Sequence, residues 1–307
     1  MYQNIIWWGK PEMISQRDAF FNSLFDLASK DRRIILITAD CGAPSLDRWR
    51  AEIPGQFFNC GIAEQGGLSI AAGLALEGLR PYFYAIAPFA TLRCLEQIRV
   101  NMAIMRLPIV VVGVGAGLSY EDSGPTHHAL EDLAVMRALP GITVWNITDS
   151  VMASKIVEIS YLEGKPAYVR LDREVREPFC GNDWNFKTGI FKLSSGNYVK
   201  NAAILATGNM VYEAMGLAKK RGLALFDIFR FPINVEELKR QIGGYDILIT
   251  IEEHFLPGGL GSAVVEILAD QEIRISLHRV GLQGETGYSY LYGGRERIRT
   301  EGYLVKG

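Results

Sequence analysis

The chain has 307 residues, of which 49% are apolar and 21% charged, and 32 lysine and arginine residues nearly balance 34 acidic residues. A net charge of −2 provides no basic excess of the kind that binds nucleic acid or an anionic membrane. No apolar run approaches the roughly 20 residues that span a bilayer, and the N-terminus lacks the basic start of a signal peptide. We therefore expect a cytoplasmic protein of about two domains.

The first half of the chain alternates helical and strand patterns. Ser15 and Asp18 mark a helix start, and the β-branched run 34–38 predicts a short buried strand. Further strands are predicted at 82–86, 109–113, 142–145 and 167–171, with helices near 62–76, 89–105, 129–138 and 150–162. Such alternation is typical of a parallel sheet with helices on both faces.

A charged and irregular stretch, residues 172–187, indicates a linker to a second unit. That unit has predicted strands at 202–206, 223–228, 246–251 and 274–279, and helices near 210–221, 234–241 and 260–269. We therefore predict an α/β protein of two parallel or mostly parallel open-sheet domains with helices on both faces, over residues 1–180 and 188–307.

One acidic residue, Glu64, stands just inside the start of a small and apolar helix. The run 62–76 shows no solvated face, so we expect a buried helix and a desolvated Glu64. Burial disfavours the charged form of a carboxyl group and suits it to hold and pass a proton near neutral pH. The alternative is that a glutamate in a first helical turn only complements the helix dipole and the free backbone amides.

A second polar cluster, residues 120–132, follows the predicted strand 109–113. A long polar loop at the carboxyl end of a parallel strand is where α/β domains usually place chemistry. A turn at Gly124 can present His127 or His128 to a cleft; alternatively, one histidine only satisfies the backbone at the start of the next helix. The spacing of the histidines does not indicate a metal site.

Four blocks of residues together resemble the C-terminal half of transketolase, in the order of that family. They are Gly61-Ile-Ala-Glu-Gln65; Phe89-Ala-Thr-Leu-Arg-Cys-Leu-Glu-Gln-Ile-Arg99; Gly124-Pro-Thr-His127 with Ala129-Leu-Glu-Asp132; and Ile251-Glu-Glu-His254 with Gly258-Gly-Leu-Gly-Ser262. The resemblance runs from about Ser15 to about Leu282, and the residues after it remain unassigned. It implies one subunit of a split thiamine-diphosphate enzyme that transfers a two-carbon ketol unit, with a pyrimidine-binding domain and a C-terminal domain.

The resemblance also implies what this chain lacks. Transketolases hold the diphosphate and Mg²⁺ through a Gly-Asp-Gly motif followed by an asparagine, in a domain that precedes these two. No Gly-Asp-Gly occurs in this sequence. We therefore expect a partner, an N-terminal transketolase-type subunit that shares thiamine diphosphate with this chain and carries the Mg²⁺, in a self-associating α2β2 assembly.

By similarity, Glu64 hydrogen-bonds the aminopyrimidine ring of the cofactor, and Phe89 packs against that ring. His127 faces the reacting carbons and contacts the substrate. Asp40, after the first strand, resembles an aspartate that the family places near the thiazolium. Arg173 resembles an arginine that binds a sugar phosphate, a task suited to a guanidinium group; alternatively, it is a solvated charge in the linker. No metal ligand is implied on this chain.

Two departures from the family pattern bear on the substrate. Gly115-Ala116-Gly117 stands where the family has a turn that usually includes a histidine, and Ser123 stands where the family has an acidic residue that contacts the acceptor. We infer, as a hypothesis, that Ser123 helps to bind an acceptor other than the ordinary pentose and tetrose phosphates. A nucleotide-linked sugar, an unphosphorylated aldehyde or another oxo compound would fit.

Three alternatives remain open. The β subunit of a 2-oxo acid dehydrogenase shares both domains, but it does not have Gly-Pro-Thr-His in this loop. Deoxyxylulose-phosphate synthase shares that motif, but it normally has all three domains in one chain. The third alternative is a non-catalytic partner that only completes or regulates an oligomer.

Overall fold

The computed structural model describes residues 13–181, 184–196, 201–284 and 287–306, with residues 304–306 described as backbone only. The strands are β1 (Ile34–Thr38), β2 (Phe57–Asn59), β3 (Arg80–Ile86), β4 (Val110–Val114), β5 (Thr143–Asn146), β6 (Ala167–Leu171), β7 (Ile190–Ser195), β8 (Ala202–Ala206), β9 (Ala224–Ile228), β10 (Arg230–Phe231), β11 (Ile247–Phe255), β12 (Ser276–Gln283) and β13 (Leu304–Lys306). The α-helices are α1 (Gln16–Ala28), α2 (Asp47–Glu52), α3 (Glu64–Leu76), α4 (Ala87–Thr91), α5 (Leu95–Gln97), α6 (Asp132–Arg137), α7 (Ser150–Glu163), α8 (Met210–Arg221), α9 (Val235–Ile242), α10 (Leu260–Asp270) and α11 (Arg295–Arg297). Short 3-10 turns cover Pro44–Leu46 and Pro54–Gln56, and π-helical turns cover Ile98–Ile104 and Ile298–Gly302. Across these described ranges, no helix combines the length and the apolar character needed to cross a membrane.

Two mostly parallel sheets organise the chain. The first has the strand order β10-β5-β6-β4-β3-β1-β2, and β10 is its antiparallel member. The second has the order β13-β12-β11-β8-β9-β7, with parallel inner pairs and antiparallel edge strands β13 and β7. The predicted fold class is therefore confirmed.

Helices cover the first sheet on both faces because both faces of its strands are apolar. Successive side chains of a strand point to opposite faces of a sheet. In β3, the ring of Tyr82 lies 6.3 Å from Phe20 of α1, whereas Phe83 belongs to the opposite core with Leu68 of α3. This double burial explains the near-continuous apolar runs that predict these strands.

The predicted helix over residues 89–105 is wrong as a single helix, because it divides into α4, α5 and a π-helical turn. The Cys94 thiol donates a hydrogen bond to the Phe89 carbonyl at 3.3 Å, and the Arg93 amide bonds instead to the Pro88 carbonyl at 3.3 Å. Such widened turns recur at functional sites. Here the break sets the position of Arg93 relative to Phe89.

The prediction that helix α3 is buried on all sides is also wrong for this chain. Leu68 is fully buried, but Ile62, Ile70 and Leu76 are 81%, 40% and 61% exposed. One side of α3 packs against the first sheet, and no element of the described residues covers the other side. An apolar helix face is therefore left open beside Glu64.

Buried polar contacts connect the two sheets. The Asn146 amide donates to the Thr207 hydroxyl at 2.8 Å, and the Thr148 hydroxyl donates to the Asp227 carboxyl group at 2.7 Å. Asp227 has no exposed surface. Burial raises its pKa well above the ordinary value, and the nearby Asp149 adds to the shift. Asp227 is therefore a protonated group in the junction.

The Asp227→Asn substitution is expected to stabilise the protein at about pH 7. The unfolded chain releases this proton at about pH 3.9, whereas the folded protein retains it to higher pH, so the free energy of unfolding falls as the pH rises through that interval. Asparagine keeps the hydrogen bond from Thr148 and has no proton to lose, so the free energy of unfolding should rise by about 1–3 kcal/mol. Urea unfolding at several pH values measures this change. The exposed Asp270→Asn is the control, and the same pH dependence in wild type and D227N would contradict the prediction.

Candidate functional site

Five of the residues singled out in the sequence lie after neighbouring strands of the first sheet. Asp40 follows β1, Glu64 follows β2, Phe89 follows β3, His127 lies in the loop after β4, and Arg173 follows β6. These strands are parallel, so their carboxyl ends lie at the same edge of the sheet. That edge is the candidate site.

Glu64 begins helix α3 and is 5% exposed, as predicted. Its Oε1 atom accepts a hydrogen bond from Nη1 of Arg93 at 2.7 Å. In the part of the chain that the structure describes, this is the contact of the Glu64 carboxylate, and no backbone amide of its own helix bonds to it. The carboxylate is therefore paired across the site, with an arginine that no sequence pattern singled out.

Arg93 and His127 both contact the ring of Phe89. The Arg93 guanidinium carbon lies 4.2 Å from the Phe89 ring centroid, and the ring of His127 lies 5.0 Å away at 68°. Burial lowers the pKa of His127, and the positive charge of Arg93 lowers it further. His127 is therefore a neutral imidazole at neutral pH. The neighbouring His128 is buried instead, at 2% exposure.

Tyr120 links His127 to Arg173. Its ring lies 5.8 Å from the ring of His127, and the Arg173 guanidinium carbon lies 4.2 Å from its centroid. Arg173 is exposed, but it is stacked at the site rather than free in the linker. The structure thus brings Glu64, Phe89, His127 and Arg173 into one connected cluster, joined by Arg93 and Tyr120.

Asp40 and Ser123 lie at the border of this cluster. The Asp40 amide donates to Oδ1 of Asn59 at 3.0 Å, and the same oxygen accepts from the Gly61 amide at 3.0 Å. Asp40 is thereby connected to the segment before Glu64, with its side chain exposed. Ser123 is exposed in a turn, and within the described residues its hydroxyl makes no hydrogen bond. Neither side chain contacts the four clustered residues.

The C-terminal segment (residues 287–303), unassigned from the sequence, packs on the histidine loop (residues 115–131). The Gly293 amide donates to the Glu121 carbonyl at 3.2 Å, and the Tyr288 hydroxyl donates to the Glu131 carboxylate. Tyr292 lies so close to Gly124 that a Cβ there would overlap its hydroxyl. A small apolar core completes the contact and consists of Leu118, Leu130, Leu282, Ile298 and Tyr303.

Arg295 is the charged centre of this contact, with a side chain that is 12% exposed. It donates to Asp172 at 2.7 Å and to Glu253 at 2.6 Å, and Glu253 accepts from the Leu118 amide at 2.9 Å. Burial acts to raise the pKa of Asp172, but the charge and hydrogen bonds of Arg295 hold that pKa below its ordinary value. The histidine loop is therefore fixed from both halves of the chain.

A sequence signal for this segment existed in the alternation of three tyrosines. In extended chain, residues two apart face the same side. Tyr288 and Tyr292 contact the histidine loop, whereas Tyr290 is 77% exposed. The alternation alone, however, does not identify the surface on which the segment packs.

Comparisons with known proteins bear on this site. Residues 12–177, more than half of the chain, match the family model of the transketolase pyrimidine binding domain. One of the subunits of the apulose-4-phosphate transketolase of Phocaeicola vulgatus is 32% identical over 281 residues, and the match covers 89% of each chain. The 1-deoxy-D-xylulose-5-phosphate synthase of Thiobacillus denitrificans is 32% identical over 281 residues, which cover 89% of this chain and 44% of that enzyme.

A solved structure agrees with these sequence relatives. A split gene transketolase, solved as an inactive β4 tetramer, superposes with a TM-score of 0.78 and 31% sequence identity. The superposition covers 89% of this chain and 90% of that chain. The match therefore extends over both sheets and includes the edge at which the candidate site lies.

The Tyr292→Ala substitution is expected to loosen the histidine loop without unfolding the protein, because it removes a contact at Gly124 and leaves the buried Arg295 network in place. Hydrogen–deuterium exchange in peptides from residues 115–131 should accelerate roughly five-fold, as a loss of about 1 kcal/mol of local stability implies. Tyr290→Ala, at an exposed position in the same segment, is the matched control. Equal exchange in both variants would show that Tyr292 does not restrain the loop.

Proposed function

Because the chain belongs to the transketolase family, we propose that it is the C-terminal, pyrimidine-binding subunit of a two-subunit transketolase-like enzyme. The enzyme transfers a two-carbon ketol unit between sugars or related oxo compounds. The observation that carries this proposal is the meeting of Glu64, Phe89 and His127 at one edge of a parallel sheet. Thiamine diphosphate supplies the carbanion chemistry when it is bound.

Glu64 and Phe89 fit an aminopyrimidine ring, because together they already hold a planar nitrogen-rich group. The Arg93 guanidinium donates to Glu64 at 2.7 Å and stacks at 4.2 Å from the Phe89 centroid. An aminopyrimidine offers the same two features, a nitrogen edge for a carboxyl group and a flat face for an aromatic ring. We propose that Glu64 holds the proton at the ring nitrogen and that Phe89 orients the ring.

His127 and Arg173 have the substrate-side roles in this proposal. The neutral imidazole of His127, with its lowered pKa, can accept a proton from a substrate hydroxyl group or donate a hydrogen bond to a carbonyl oxygen. Arg173 offers a guanidinium group to an anionic substituent. We further propose that Asp40 approaches the thiazolium side of the cofactor and that Ser123 approaches the acceptor; their exposed positions at the border of the cluster support these roles.

We propose that the other half of the site comes from an N-terminal transketolase-type subunit, which binds the diphosphate and Mg²⁺, in an α2β2 assembly. The open apolar face of α3, with Ile62 81% exposed and Ile70 40% exposed, supports a partner surface beside Glu64. We also propose a cytoplasmic location and the domain limits 1–180 and 188–307. The family match that ends at residue 177 supports the first domain limit.

Glu64→Gln is expected to abolish most of the activity of the reconstituted pair of subunits, because glutamine has no proton to give. Proton transfer by a positioned group contributes about 10²- to 10⁴-fold to a rate, so turnover should fall by that range. The assay uses this chain together with a subunit that contains Gly-Asp-Gly and the following asparagine, and circular dichroism reports thiamine diphosphate binding. Glu77→Gln, at the exposed end of the same helix, is the control. Undiminished turnover in E64Q with an intact assembly would instead support a non-catalytic partner.

We also expect the acceptor to differ from ordinary pentose and tetrose phosphates. A side chain at Gly115 would overlap the ring of Tyr120, so an aromatic ring occupies the position near which the family usually has a histidine. The pair should therefore use ribose 5-phosphate with xylulose 5-phosphate at least about ten-fold less efficiently than its own acceptor, as the loss of one hydrogen bond to a charged group implies. Steady-state kinetics over a panel of phosphorylated, unphosphorylated and nucleotide-linked sugars measures this ratio. Full activity on the ordinary pair counts against the hypothesis.

A second candidate function is the synthesis of a deoxyketose phosphate. The 32% identity to a 1-deoxy-D-xylulose-5-phosphate synthase favours it, although this chain spans 44% of that enzyme. Formation of 1-deoxy-D-xylulose 5-phosphate by the reconstituted pair would select this alternative. Reduction of a lipoyl domain would select a 2-oxo acid dehydrogenase.

A further inference from the structure

Arg93 contacts both side chains that the proposed function assigns to the aminopyrimidine ring. Its Nη1 atom lies 2.7 Å from Oε1 of Glu64, and its guanidinium carbon lies 4.2 Å from the centroid of Phe89. Carbon atoms in contact are about 3.5–4.0 Å apart, so the guanidinium and the phenyl ring already touch. A second planar ring cannot enter between them while Arg93 keeps this position.

The arginine side chain can leave without disturbing the fold. Its side chain is 43% exposed, whereas the side chain of Glu64 is 5% exposed. The backbone at Arg93 is held separately, since the Gln65 side-chain amide donates to its carbonyl at 3.1 Å and its own amide bonds to the Pro88 carbonyl at 3.3 Å. Rotation of the side chain toward solvent therefore breaks one ion pair and one stacking contact, while the main chain stays in place.

We propose that Arg93 is a placeholder for the aminopyrimidine ring. In the cofactor-free chain its guanidinium group compensates the buried charge of Glu64 and stacks on Phe89, and it turns to solvent when the ring binds. This inference rests on the proposed function, because it needs the ring to bind at Glu64 and Phe89. Cofactor binding then competes with an internal ligand of this chain.

Competition of this kind lowers the apparent affinity in proportion to the fraction of molecules whose site is open. Replacing Arg93 by methionine removes the planar donor and keeps an apolar side chain of similar length. We expect Arg93→Met to bind thiamine diphosphate several-fold to about ten-fold more tightly in the reconstituted pair, and to bind it faster. Arg93→Lys, which keeps the charge and loses the planar group, should lie between R93M and wild type.

The experiment measures thiamine diphosphate binding to the pair by calorimetry in the presence of Mg²⁺. Arg99→Met is the matched control, because Arg99 is an exposed arginine in the same segment and its replacement changes the charge equally. R99M should bind the cofactor as wild type does. Weaker binding in R93M, or the same affinity in R93M and R99M, would overturn the placeholder role.

A second readout follows Arg93 itself in the wild-type pair. Modification by phenylglyoxal, located by peptide mass spectrometry, should increase at Arg93 when thiamine diphosphate binds, and it should not change at Arg99. Unchanged or decreased modification of Arg93 in a pair that binds the cofactor overturns the placeholder role and leaves the proposed function intact. A wild-type pair that binds no thiamine diphosphate overturns both.

Discussion

Parallel strand pairing is the constraint on which the site depends. When neighbouring strands run in the same direction, the loops that follow them emerge at one edge of the sheet. The order β6-β4-β3-β1-β2 therefore brings Arg173, His127, Phe89 and Glu64 together, although up to about a third of the chain separates them in sequence. An antiparallel arrangement would place alternate loops at opposite edges.

Each buried charge at this edge has a partner, and the partners define the shape of the site. Arg93 pairs with Glu64, and Arg295 pairs with Asp172 and Glu253. A buried ion left without its partner is strongly destabilising, so these pairs restrain the surrounding loops. The first pair lies inside the proposed cofactor site and is partly exposed, so it can exchange. The second is buried where the C-terminal segment crosses the histidine loop, so it fixes the loop.

The site is also incomplete in a way that has a physical basis. The chain presents a buried carboxylate, an aromatic ring and a neutral imidazole, which suit proton transfer and ring orientation. Beside them lies an apolar helix face with Ile62 81% exposed. A surface of this kind is typical of one that another chain covers. The chemistry and the open surface thus point to the same conclusion, that the active unit is larger than this chain.

The sequence by itself determined the alternation of strands and helices, the two sheets, the burial of Glu64 and the set of residues to examine, because burial on both faces of a parallel sheet leaves long apolar runs in the sequence. It did not predict β2, β10 or β13, which are too short for any periodicity, nor the break between α4 and α5, which depends on the Cys94 thiol replacing an amide at one carbonyl. It also took the open face of α3 for a buried one, since an apolar helix looks the same whether its own chain or another covers it. Only the tertiary structure decided that Arg93 contacts Glu64 and Phe89 and that the C-terminal segment holds the histidine loop. Those contacts join residues distant in sequence, and no local pattern determines which distant side chain will approach a given charge or ring.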